Sequence, residues 1–130
     1  MAFYLDTSAA VKLVVAERGS RALERWVETH ADAVVSSDQL RTELLRATRR
    51  GAPDRMLRAR AVLDSITILA MPVATFERAA DLDPTLLRSL DALHLAAALE
   101  LGDELDGMVT YDERLAEAAA LHGIEVIAPA

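Results

Sequence analysis

The chain has 130 residues, 52% of them hydrophobic and 27% charged, with no cysteine and a net charge of −7. This length fits one domain with its own core, the composition excludes a disordered tail, and the missing thiol excludes disulfides, thiolate metal sites and a cysteine nucleophile. No apolar run reaches the roughly 18 residues that cross a bilayer, and the opening residues lack a signal peptide's basic segment and apolar core, so a cytoplasmic location without a membrane partner is expected.

Residues 2–5 predict a short buried strand that ends at Asp6. Residues 8–17 predict a helix, with Val11, Leu13, Val14 and Val15 mostly inward. Gly19-Ser20 interrupts it, and Ser20 is placed to cap a second helix over about 21–30. The β-branched run at 33–37 predicts a second strand. Ser37 or Asp38 then caps a helix over about 38–50, which stops at Gly51, and Pro53 suits the first position of a helix over about 53–64. A third strand over 66–71 is closed by Pro72, and Thr75 caps a short helix through Ala80. A turn-rich stretch leads into a long apolar helix over about 90–101, ended by Gly102. Residues 107–112 predict a fourth strand, 113–121 a helix and 125–128 a fifth strand.

Strands alternating with helices predict one α/β domain over residues 1–130. Its sheet is mostly parallel, with about five short strands and helices on both faces. Ligands in such sheets bind beyond the carboxyl ends of the strands. Asp6 and Asp112 both stand at strand ends.

Two further acids are out of place. On a helix, Leu40, Glu43, Leu44 and Ala47 share one face, and a glutamate inside an apolar stripe is costly unless compensated. Asp91 begins the helix whose inward face carries Leu95, Ala98 and Leu99. Each acid has a plain alternative: Asp6 and Asp112 as helix caps, Glu43 as a partner of Arg46, Asp91 as a cap or dipole partner. If the four converge, their charge must be offset by protonation, by basic partners or by a cation, and hard oxygen ligands suit Mg²⁺ or Mn²⁺.

The charge is unevenly spread. Residues 41–60 hold seven arginines against Glu43 and Asp54, a net +5, which leaves −12 on the other 110 residues. A basic stripe on an acidic body can steer a polyanion, or it is two solvated helix faces.

The same residues resemble the PIN-domain family, and within it the toxin ribonucleases of VapBC toxin–antitoxin systems, along essentially the whole chain. "YLDTSAAVKLVVAE" resembles the family's opening strand, first metal-binding aspartate and adjacent hydroxyl. "SSDQLRTELLRATRR" resembles the helix with an acid followed by an arginine, here Glu43 and Arg46. "LRSLDALHLAAALELG" places the third acid at Asp91. "GMVTYDERLAEAAALHGIEVIAP" resembles the closing strand–acid–helix–strand unit, with the fourth acid at Asp112 and Thr110 in the polar position before it.

The resemblance implies a Mg²⁺-dependent endoribonuclease, with Mn²⁺ as an alternative ion. It further implies inhibition by a cognate VapB-type antitoxin, and a homodimer. It makes Asp6, Glu43 and Asp91 the core metal ligands, with Asp112 completing the site or holding a second ion. Ser8 then holds a metal water or a carboxylate, or only caps the first helix, while Thr7 is structural. Thr110 is a second hydroxyl candidate. Arg46 fixes a carboxylate or contacts RNA phosphate, the former being favoured, and Arg49 and Arg50 engage phosphates or stay solvated. His94 is expected to be a packed structural histidine. Trp26 is expected to pack on the second helix, with Tyr4 and Tyr111 as other candidates for base stacking. The apolar face of the first two helices is the expected antitoxin seat.

Two other functions compete. A strand ending in "LDTS" also resembles phosphotransfer aspartates, but the second aspartate of the dehalogenase-like hydrolases is Ser8 here, and Lys12 is the only lysine. The other is a non-catalytic PIN-like module that binds RNA or protein, against which the four intact acids count.

Overall fold

The computed structural model describes residues 1–130. Five strands form one sheet, and every pairing in it is parallel. The strands are β1 (Ala2–Leu5), β2 (Val34–Ser37), β3 (Thr67–Leu69), β4 (Leu105–Val109) and β5 (Val126–Ile127), in the spatial order β3-β2-β1-β4-β5. Parallel neighbours need crossovers, and the helices supply them. These are α1 (Thr7–Val14), α2 (Ser20–Thr29), α3 (Gln39–Gly51), α4 (Met56–Ser65), α5 (Val73–Asp81), α6 (Ser89–Leu99) and α7 (Glu113–Leu121). The chain builds outward from β1 to β3 on one side, then returns past β1 to lay down β4 and β5. The strand order therefore reverses between β1 and β4, the crevice where parallel sheets place ligands.

The two-residue period of the strands divides the core. Leu5, Val34 and Val109 face Ala9, Leu13, Leu23, Leu40, Leu44 and Leu63 from α1–α4. Tyr4, Val35 and Met108 face Leu95, Ala98, Leu115 and Ala118 from α6 and α7. A small alanine seam, Ala79 against Ala92 and Ala96, joins α5 to α6. Trp26 packs edge-on against Phe3 and stacks on His30, so it belongs to the fold, as expected. No helix is long and apolar enough to cross a membrane.

Several element ends differ from the sequence reading. The first helix stops at Val14, because Val15 is extended. Ser20 does not cap α2. Gly19, at φ +88°, takes the cap position in a left-handed conformation that only glycine adopts cheaply. The Ser20 hydroxyl instead accepts the Glu17 N–H and donates to the Val15 carbonyl, fastening the turn. Pro53 opens a single 3₁₀ turn, and α4 begins at Met56. Thr75 is buried inside α5, whose cap position is Pro72. The fourth strand starts at Leu105 and ends at Val109; Thr110 still donates its N–H to the Ile127 carbonyl of β5, and Tyr111 and Asp112 lie beyond the strand. Of the apolar residues of α1 and α2, Leu13, Val14 and Leu23 are taken up by the core, while Val11, Trp26 and Val27 stay half-buried against it, as does Val15 just past α1. The large exposed apolar side chains of α5 and α6 are Val73, Phe76 and Leu90.

Gly107 marks where β4 approaches β5 too closely for a side chain. A Cβ there would lie 2.6 Å from Ile127 Cδ1 and 3.1 Å from the Glu125 carbonyl oxygen. Gly107→Val should cost about 1–3 kcal/mol in urea denaturation. Gly51→Ala, at a position with nothing within 4 Å, should be neutral or stabilising by up to about 1 kcal/mol.

Candidate active site

Asp6 follows β1 directly and is 3% exposed. Its Oδ1 accepts the Ala9 N–H at 3.0 Å, capping α1, and the Ser8 hydroxyl at 2.7 Å. Its Oδ2 accepts the Thr110 hydroxyl at 2.6 Å. Thr110 in turn accepts the Asp112 N–H at 3.1 Å, and Ser8 accepts the Tyr111 N–H at 2.9 Å. The loops after β1 and β4 are thus laced together through one carboxylate and two hydroxyls. Ser8 serves the carboxylate and not the helix end. Burial pushes the Asp6 pKa up against the hydrogen bonds from Thr110, Ala9 and Ser8.

Glu43 stands on α3 with its side chain 22% exposed. Its Oε1 receives three partners: His94 Nε2 at 2.7 Å, Gln39 Nε2 at 2.7 Å and Thr7 Oγ1 at 3.0 Å. Burial alone would raise its pKa; the hydrogen bond and charge of His94, with Gln39 and Thr7, outweigh this and lower it. His94 is packed, as expected, but it also links to a chain of polar groups. Its Nδ1 lies 2.7 Å from the Tyr4 hydroxyl, itself 2.7 Å from Ser37 Oγ. His94 Nε2–H donates to Glu43, and the Tyr4 hydroxyl bridges Nδ1 and Ser37 Oγ. Tyr4 is fully buried in that role, and the half-buried Tyr111 has Lys12 Nζ over its ring, 4.7 Å from the centroid, and donates its hydroxyl to the Pro129 carbonyl. Arg46 makes no ion pair with Glu43, contrary to the favoured reading of its spacing; it lines the groove beside it.

Asp91 and Asp112 meet at Arg88. Arg88 Nε and Nη2 reach Asp91 Oδ2 at 3.0 and 2.9 Å, and Nη2 reaches Asp112 Oδ2 at 2.9 Å. The Asp91 hydrogen bond is the main cause that raises the Arg88 pKa. Asp112 Oδ1 caps α7 by accepting the N–H groups of Arg114 and Leu115.

Asp6 is therefore joined to Asp112 through Thr110, and Asp112 to Asp91 through Arg88. No three His, Asp or Glu side chains are gathered closely enough to hold a metal ion as they stand. The expected convergence is partial, because each carboxylate has turned to a protein partner. The donor set still suits a hard divalent cation: all four groups are carboxylates, and a guanidinium between two of them shows that they require positive charge. Oε2 of Glu43 and Oδ1 of Asp91 have no protein partner.

A groove of about 630 Å³ runs from this cluster between α3 and the α5–α6 side. Thr7, Gln39 and Glu43 line it at the cluster, Arg46 and Arg50 on one side, and Phe76 and Leu90 on the other. Gln39 Oε1 is buried without a donor, while its amide N–H groups hold Glu43 and the Leu90 carbonyl. Arg46, Arg49 and Arg50 line an adjoining cleft of about 380 Å³ with no other residue. Sequence reasoning missed Arg88, Gln39 and the linking roles of Thr7 and His94. Of these, only Arg88 left a signal, a cation three residues before Asp91 at a helix start.

Residues 3–121 match the PIN domain family. Over 128 residues the chain is 41% identical to Ribonuclease VapC46 of Mycobacterium tuberculosis, covering 98% of each chain. It is 37% identical over 130 residues to Ribonuclease VapC47 of the same species, covering 97% of this chain and 96% of the relative. Among solved structures it is similar to Mycobacterium tuberculosis VapC20, described as a sarcin-ricin loop cleaving toxin. That match has a TM-score of 0.74 and 15% identity, and covers 90% of this chain and 95% of the other. It is also similar to Rickettsia felis VapBC2 bound to a promoter DNA fragment, with a TM-score of 0.72 and 13% identity over 100% of both chains. At those identities the two structures bear on the fold alone.

The two pKa shifts have opposite consequences. The raised Asp6 pKa means that its stabilising form is the protonated one. That contribution is complete below the ordinary value of 3.8 and is lost as pH rises through the raised value. Glu43, lowered from 4.5, contributes above that value and loses its contribution as pH falls through the lowered one. In EDTA at neutral pH, Asp6→Asn should leave the melting temperature unchanged or raise it, since Asn also caps well. Any gain should vanish toward pH of about 4. Glu43→Gln should lower it at neutral pH. A large drop for Asp6→Asn would show that the Ser8 and Thr110 hydrogen bonds to the carboxylate outweigh the cost of burial.

Proposed function

The chain belongs to the PIN-domain family, and on that premise we propose that it is a divalent-cation-dependent endoribonuclease, the toxin of a toxin–antitoxin pair. The observation that carries this reading is the crevice between β1 and β4. There, three strand-end or helix-start acids are wired together beside a fourth, in a chain alike over nearly its full length to proteins named as ribonucleases. Asp6, Glu43, Asp91 and Asp112 would hold Mg²⁺ or Mn²⁺. Such an ion, when bound, supplies a lowered pKa for water and charge shielding at the scissile phosphate.

The remaining work falls to the chain's own residues. Ser8 and Thr110 fix the Asp6 carboxylate from both sides. His94, Gln39 and Thr7 hold Glu43 ionised and oriented through Oε1, leaving Oε2 toward the groove. His94 is a positioning residue here, since both ring nitrogens are engaged. No side chain is needed as nucleophile.

Carboxylates repel a phosphodiester, so a substrate strand needs compensation at the rim. Arg46 and Arg50 provide it within the same groove, and Arg49 extends it. Phe76, 49% exposed on the facing wall, offers an aromatic surface to an unpaired base. A VapB-type antitoxin and a second copy of the chain are the proposed protein partners.

The test is cleavage of single-stranded RNA by the purified chain. Mg²⁺ should support cleavage and EDTA abolish it. Asp6→Asn and Asp91→Asn should each reduce the rate by at least about 100-fold and relieve growth inhibition, with the circular dichroism spectrum retained. Wild-type rates in both variants would overturn the metal-nuclease reading. RNA binding without any cleavage by the wild type would favour a non-catalytic module.

The rim makes a separate prediction. Arg50→Ala should weaken RNA binding similarly across sequences and reduce the slope of log affinity against log salt by about 1. Fluorescence anisotropy in EDTA measures it without turnover.

A further inference from the structure

Arg88 is the residue this fold adds between two of the four acids. It precedes α6 with an extended backbone, φ −63° and ψ 149°, and its carbonyl accepts the Ala92 N–H. Its side chain reaches the acids from outside: it is 59% exposed, against 13% for Asp91 and 25% for Asp112. The guanidinium is therefore an outer cover on two largely shielded carboxylates, held by its fork and not by packing.

Atom by atom, the carboxylates leave little room. Asp112 Oδ1 is spent on the first turn of α7, where it accepts two backbone N–H groups. Oδ2 is its only oxygen free for the crevice, and Arg88 Nη2 occupies it at 2.9 Å. The same Nη2 and the neighbouring Nε both engage Asp91 Oδ2. One guanidinium charge against two carboxylates leaves the pair at −1, so a dication has both an electrostatic reason to enter and a competitor to remove.

We propose that Arg88 is the internal counter-ion of the acidic cluster, which a divalent cation must displace from Asp112 before that carboxylate can serve as a ligand. The inference rests on the cation dependence proposed above and specifies which contact breaks when the ion binds.

The experiment is isothermal titration of Mn²⁺ into the purified, EDTA-stripped chain, comparing wild type, Arg88→Met and Arg88→Lys. Losing two partly exposed ion pairs should tighten Mn²⁺ binding about 5- to 10-fold in Arg88→Met, with Arg88→Lys in between. In EDTA, Arg88→Met should melt below wild type, and saturating Mn²⁺ should close the gap. Equal or weaker Mn²⁺ affinity in Arg88→Met would overturn the inference, because Arg88 would then only preorganise the acids.

A measurement on the wild type removes any dependence on a variant folding. In the ¹⁵N-arginine-labelled chain, the Arg88 Nη–H resonance should shift and exchange faster as Mg²⁺ saturates, since Nη2 is the nitrogen that holds Asp112. A resonance unmoved at saturation overturns the displacement. If neither wild type nor variants bind Mn²⁺, the cation dependence itself fails; if all bind it alike, only the role of Arg88 does.

Discussion

A carboxylate at the carboxyl end of the central strand has nowhere to hide its charge. Asp6 lies between β1 and α1, nearly sealed from water, and an ionised group there is tolerated only if its surroundings do the work of solvent. The fold supplies a backbone N–H from its own helix, a hydroxyl two residues on, and a hydroxyl from the loop after β4. Meeting that one requirement fixes much else. Thr110 reaches Asp6 from the end of β4, Asp112 follows it into the cap of α7, and the two loops at the topological switch are tied into one body. The geometry of the crevice thus follows from compensating a single buried charge.

Each acid is compensated by a different means. Asp6 is held by neutral dipoles, Glu43 by a histidine whose other nitrogen is anchored in the core through Tyr4 and Ser37, and Asp91 and Asp112 by a shared guanidinium. The hydroxyls and the imidazole each have further partners. The guanidinium stands on an exposed arm and is the compensation most readily withdrawn. The basic rim of α3 is separate from all three: Arg46 and Arg50 line the groove without pairing to the acids.

The alternation of β-branched runs with amphipathic stretches made the α/β architecture and the number of strands legible, because local pattern and global fold agree along this chain. Ends were less legible. The strand expected at 107–112 ends at Val109, and the side chains of Thr110 and Asp112 beyond it serve the site and the α7 cap. Asp6, Glu43, Asp91 and Asp112 were legible as anomalies, acids at element ends or on an apolar face. Their partners were not. His94 sits among Leu93 and Leu95, and that neighbourhood reads as core; its contact with Glu43 spans 51 residues and is made only by the fold. Gln39 and Thr7 are ordinary residues for a helix start. Nothing in local composition distinguishes them from surface, because their meaning depends on a carboxylate arriving from another element.

The sequence presented capping and ligation as alternatives for Asp6 and Asp112, and the structure shows why they are not. A carboxylate has two oxygens. In both residues Oδ1 takes helix N–H groups, while Oδ2 turns across the crevice, to Thr110 in one case and Arg88 in the other. The cap fixes the side-chain rotamer, so Oδ2 is aimed without further packing. Asparagine or serine would cap equally well, but neither would deliver an anionic oxygen to the crevice. An aspartate at both strand ends is therefore the choice that satisfies the helix and the cluster at once, and the two demands reinforce each other.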